Sequence, residues 1–167
     1  MKKIVLFLTL IIPCICTGQV VVPMEKQVDG TFLIPCTVNG VPMKFIFDTG
    51  ASVVNISLTE ALFLIKNGFI QDSDIKGTSH AQIANGEIVE NTMIVLRKVN
   101  IGGIELRDID ATVSHNMNAP LLLGQSVIQK LGSIQLDGSK LIIMNNHDYT
   151  TNNVNPYQDE PEANIGR

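Results

Sequence analysis

Four of the Asx-Gly pairs in this chain, those set between strand-like runs, constrain it more than any other feature. They are Asp29-Gly30, Asn39-Gly40, Asn85-Gly86 and Asp137-Gly138. Asn and Asp tolerate the positive φ that a tight hairpin turn demands, and Gly adopts it freely, so each pair predicts two antiparallel strands joined closely. Gly102-Gly103 is a fifth candidate turn. Strands are therefore expected near 31–38, 41–48, 80–84, 87–99, 104–113, 133–136 and 140–144. The expected class is mostly β.

Two short helices interrupt the strands. Ser57-Leu58-Thr59-Glu60 has the form of a capping box, in which Ser57 covers a free N–H and Glu60 reaches back to it. Ala61, Leu62, Leu64 and Ile65 then predict an apolar stripe, and Gly68 suits a left-handed stop. The second helix is expected from Gln125 to Leu131, ending at Gly132.

The ends of the chain differ in character from its middle. Lys2 and Lys3 precede an almost unbroken apolar run from Ile4 to Ile15, followed by the small residues Thr17 and Gly18. That layout predicts a secretory signal peptide over 1–18 and export to a periplasmic or extracellular space, with membrane tethering as the alternative if the leader stays uncleaved. Residues 19–145 then form one domain. The polar run 146–167, rich in Asn, Asp and Glu, is expected to be a disordered tail.

Composition excludes several function classes. Loss of Lys2 and Lys3 takes the net charge from −4 to −6, and no basic stretch remains to attract nucleic acid or an anionic membrane. Cys36 is the lone cysteine after the leader, so no disulfide within the chain is expected, and a small hydrophobe on a strand is its simplest role. His80, His115 and His147 are scattered without metal-ligand spacing. No metal or cofactor is expected.

Asp48 is the anomaly. It follows Phe45-Ile46-Phe47, yet Asp is depleted in strands and seldom buried without a partner. Either it ends a strand and caps a turn, or its carboxylate is held in a half-dry place for its chemistry. The wider pattern bears on the choice. Phe47-Asp48-Thr49-Gly50-Ala51-Ser52 and, some seventy residues on, Leu121-Leu122-Leu123-Gly124 at the head of a short helix resemble the two signatures of the retropepsin-like (retroviral-type) aspartic proteases. The similarity runs over about residues 25–145, with the bacterial predicted aspartyl protease group as the nearest likeness. The element order matches as well.

The resemblance implies a closed or partly open β-barrel of the acid-protease type and an aspartic endopeptidase with Asp48 as its catalytic residue. Thr49, Gly50, Ala51 and Ser52 would form the active-site loop, the Thr49 hydroxyl bonding across to a partner loop. Leu122, Leu123 and Gly124 would pack beneath it, Gly124 allowing two backbones to approach. The hairpin at Ile83, Ala84, Asn85, Gly86 and Ile88 would be a flap over an extended peptide, although hairpins at protein surfaces are common without such a role. No second Asp-Thr-Gly or Asp-Ser-Gly exists; Asp137-Gly138 lacks the Thr, and Asp108 and Asp110 alternate along a predicted strand facing solvent. A pair of aspartates therefore requires a homodimer, with Val20 to Val22 and Leu141 to Met144 as candidate interface strands. The alternative is an inactive peptide-binding or dimerisation module on the same fold.

Overall fold

The structure is a computed structural model that describes residues 18–82, 86 and 88–144, with Ala81 and Gln82 described through their backbone alone. Residues 1–17 of the leader expected over 1–18, the tail over 146–167 and the hairpin residues Ile83, Ala84 and Asn85 lie outside the described residues.

The chain runs β1 (Gln19–Pro23), β2 (Glu25–Lys26), β3 (Phe32–Val38), β4 (Val41–Phe47), β5 (Val54–Ile56), α1 (Leu58–Lys66), a 3-10 turn (Asp72–Asp74), β6 (Ile75–Gln82), β7 (Ile88–Ile101), β8 (Ile104–Ser114), β9 (Leu122–Leu123), α2 (Gln125–Leu131), β10 (Ile134–Asp137) and β11 (Lys140–Met144). It is mostly β with two helices, as the turn pattern predicts. Eight strands form one sheet in the order β2-β3-β4-β9-β5-β8-β7-β6, and an added pairing of β3 with β7 closes part of it into a ring.

The β3–β4 hairpin shows why the turn pairs specify this fold. Asn39 (φ 49°) and Gly40 (φ 92°) both take the left-handed conformation of a two-residue turn. The register Val38↔Val41 through Leu33↔Ile46 follows from it, burying Ile34, Cys36, Val38 and Phe45 on the inner face. Pro35 is tolerated because β3 meets β2 only at Phe32 and Leu33 and β7 only at Thr37 and Val38, so no second ladder needs its missing N–H. Phe45 is fully buried and contributes roughly 2–3 kcal/mol through burial alone.

Several features differ from expectation, each for a tertiary reason. β6 begins at Ile75 rather than near residue 80, because pairing with β7 continues past a bulge between Ile75 and Gly77. β5 was not foreseen: three residues become a strand only by lying between β8 and β9. The expected stripe on α1 is narrower than predicted. Ala61 and Leu64 are buried, whereas Leu62 is 50% and Ile65 41% exposed, so the fold covers only part of the expected face. The Ser57 half of the α1 capping is as expected, Oγ accepting from the Glu60 N–H at 3.3 Å, while the Glu60 carboxylate reaches back to accept from the Ser57 hydroxyl rather than from its backbone N–H. Asp108 and Asp110 are both exposed on β8.

The chain ends form a separate three-stranded sheet, β1-β11-β10. Both candidate interface strands therefore pair with each other inside one chain, Val20↔Ile143 through Pro23↔Lys140, and β10 takes the other side of β11. Among the described residues, the outer edges of β1 and β10 pair with no further strand. Val22, Leu141 and Ile143 join Ile34, Val99 and Ile101 in one core, so the two sheets pack as a unit.

Candidate active site

Asp48 sits one residue past the end of β4. The parallel pairing of β4 with β9, Ile46↔Leu122 and Phe47↔Leu123, carries both strands to the same end of the sheet. The Asp48 N–H donates to the Leu123 carbonyl at 3.1 Å, fixing the residue as the strand gives way to a loop. Its side chain is half-buried, and Oδ1 accepts from the Gly50 N–H at 2.8 Å. Among the described residues Asp48 makes no ion pair, and Oδ2 has no hydrogen-bond partner. A carboxylate so placed is held in position while keeping one oxygen for other chemistry.

The loop after it is seated on Gly124. A Cβ at that position would lie 2.3 Å from the Val53 carbonyl oxygen and 2.6 Å from that of Ala51, far inside contact distance, so only glycine fits. Gly124 is also the N-cap of α2 and offers no side chain to the helix's first N–H groups. The loop caps them instead. Gln125 N–H donates to the Ala51 carbonyl at 2.9 Å and Ser126 N–H to that of Ser52 at 3.1 Å.

Side chains complete the attachment. Gln125 Nε2 donates to the Thr49 carbonyl at 2.8 Å. Ser126 Oγ accepts from the Val54 N–H at 3.1 Å and donates to the Asp110 carbonyl at 2.8 Å. Sequence reasoning named Gln125 only as the start of a helix and overlooked Ser126. Two polar residues directly after a glycine N-cap are the available clue, because a helix start without a capping side chain must find acceptors elsewhere.

The remaining candidates fall into two groups. Thr49, Gly50 and Ser52 are exposed and Ala51 half-exposed, all on the Asp48 loop; Leu122 and Leu123 lie in the strand beneath, Leu123 fully buried. The Thr49 hydroxyl has no partner among the described residues of its own chain. Gly86, with φ 87°, and Ile88, 68% exposed, belong to the β6–β7 hairpin, whose arms pair from Ile75↔Ile94 to Gln82↔Ile88.

One carboxylate can accept or donate a proton, and among the described residues of a single chain Asp48 alone stands at this place. Strand, Asp-Thr-Gly loop, and a Leu-Leu-Gly strand and helix seated beneath it define the class: a retropepsin-like aspartic protease fold. The chain belongs to the family described as "gag-polyprotein putative aspartyl protease", whose model matches residues 34–130. A retropepsin-like aspartic protease from Rickettsia conorii has a similar crystal structure, with a TM-score of 0.54 and 28% identity, covering 75% of this chain and 89% of that one. An uncharacterized protein of Rickettsia prowazekii is 32% identical over 126 residues, 75% of this chain and 51% of the relative. An uncharacterized protein from the cobV 5′ region of Sinorhizobium sp. is 30% identical over 133 residues, 74% of this chain and 52% of the relative. The chain thus spans about half the length of these two curated relatives.

Proposed function

We propose that the protein is an aspartic endopeptidase that acts as a homodimer, water being activated between Asp48 and its copy in a second chain. The observation that carries this reading is the Asp48 carboxylate itself: half-buried, without a cation among the described residues, and held on a loop tied down from Leu123 to Ser126. A turn-capping Asp has no need of such an attachment.

Peptide hydrolysis without metal or covalent intermediate needs one group to take a proton from water and another to give one to the carbonyl oxygen. Two carboxylates sharing a proton perform both roles. At about 3 Å and an effective dielectric near 20, two negative charges repel by roughly 5 kcal/mol, equivalent to about 4 pKa units. One of the pair is then protonated while the other is ionised, and the proton belongs to the couple. The exposed Thr49 hydroxyl suits a bond to the opposite loop. The open edges of β1 and β10 are the places at which the terminal sheet can accept a second chain.

The substrate in this reading is an extended peptide covered by the β6–β7 hairpin, with hydrophobic side chains preferred in pockets built from both subunits. Export through the N-terminal leader is part of the same proposal, and N-terminal sequencing of the isolated protein tests it. The activity is tested with a mixed peptide library across pH, beside Asp48→Asn. The expected result is cleavage by the wild type and none by a folded Asn variant. Equal cleavage by both discards the mechanism; absence of cleavage by a dimeric wild type, with binding of a statine-type peptide, favours the inactive module.

A further inference from the structure

Thr49 and Gly50 share one peptide unit, and both of its polar ends are occupied. On one side the Thr49 carbonyl accepts from Gln125 Nε2 at 2.8 Å. On the other the Gly50 N–H donates to Asp48 Oδ1 at 2.8 Å. A peptide unit is planar and effectively rigid, so fixing the direction of its C=O fixes that of its N–H. We propose that Gln125 is a positioning residue for the Asp48 carboxylate, acting through the Thr49–Gly50 peptide. This inference rests on the hydrolase reading above.

The need for such a device follows from the loop's own composition. Thr49 and Gly50 are exposed, so packing does not hold them. Glycine at the second position makes rotation of the peptide plane inexpensive, because Gly accepts φ of either sign. A flipped plane would turn the Thr49 carbonyl oxygen toward the Asp48 carboxylate and withdraw the N–H that orients it. The backbone anchors on either side, Asp48 N–H to Leu123 and Gln125 N–H to Ala51, leave this peptide between them free to rotate. The Gln125 side chain restrains it. A hydrogen bond accepted by the carbonyl also polarises the N–H of the same unit, strengthening the bond to Asp48.

The test compares Gln125→Met, which keeps the length and loses the donor, with Gln125→Lys, which retains an N–H donor. Gln125→Ala serves as a second donor-free variant should the Met protein fold poorly. Two readouts are taken from the full chain: hydrogen exchange of the Gly50 amide by NMR, and kcat and KM on a peptide cleaved by the wild type. Loss of one neutral hydrogen bond is worth roughly a factor of ten. In the donor-free variants Gly50 exchange is expected to rise about tenfold, with kcat falling by about the same factor and KM within about twofold. Gln125→Lys is expected to restore the exchange protection. Wild-type Gly50 exchange in a folded donor-free variant overturns the proposal, as does equal loss of protection in Gln125→Lys. The exchange readout stands without catalysis: faster exchange in a protein whose wild type cleaves no peptide supports the positioning of Asp48 and removes the hydrolase reading alone.

Discussion

Gly124 lies so close beneath the Asp48 loop that a Cβ there would meet the Val53 carbonyl oxygen at 2.3 Å. The obstacle is backbone on a loop anchored at several points, so it cannot step aside as a flexible side chain would. Overpacking of this kind typically costs about 1–3 kcal/mol, and here it also displaces the residues after Asp48. Gly124→Ala is expected to lower the unfolding free energy by at least that amount, measured by denaturant titration, and to reduce cleavage. An Ala variant as stable as the wild type would show that the loop is not seated on this glycine.

The Thr49 hydroxyl is exposed and lacks a partner among the described residues of its own chain. Thr49→Val should therefore change the stability of the isolated chain by no more than about 0.5 kcal/mol. In the dimeric reading the same change removes a contact between loops. Sedimentation is expected to show weaker association, and cleavage per chain should fall most at low protein concentration. Unchanged association would detach Thr49 from the interface.

Ser57 caps α1 from a buried position, 1% exposed, and satisfies the Glu60 N–H. Ser57→Ala removes that acceptor and leaves Glu60 without its hydroxyl partner. The expected loss is about 1–2 kcal/mol, measured by urea unfolding at neutral pH. A loss below a few tenths would mean that solvent replaces the cap.

Burial pushes the Cys36 thiol up to about 12 from its ordinary value of 9.0. In the folded protein it stays neutral where the unfolded chain already ionises. Its contribution is thus fully present below pH 9 and is lost as pH rises from 9 toward 12, by up to about 1.4 kcal/mol per pH unit. Unfolding free energies of wild type and Cys36→Ala, measured over that range, should differ in slope by this amount. Parallel slopes would show that the thiol is reached by water.

What could be read from the sequence was local. The Asn39-Gly40 turn, the Ser57 and Glu60 cap and the stops at Gly68 and Gly132 each depend on residues within a turn or two, so their conformations follow from nearby chemistry. Asp48 stood out for a similar reason, an acid set directly after an apolar strand. The exposure of Leu62 and Ile65 escaped the same logic, because helical spacing shows which residues share a face but not how much of that face a neighbour covers.

The amino-acid order by itself determined the hairpins, the two helices and the identity of the acidic residue, since φ preferences, caps and apolar periodicity act over a few residues. Tertiary structure alone decided that β5 is a strand, that β1 and β11 pair within one chain, and that Gln125 reaches the Thr49 carbonyl across 76 positions. Those features arise where distant backbones must satisfy one another's hydrogen bonds in a shared space, and no short stretch of sequence contains both partners.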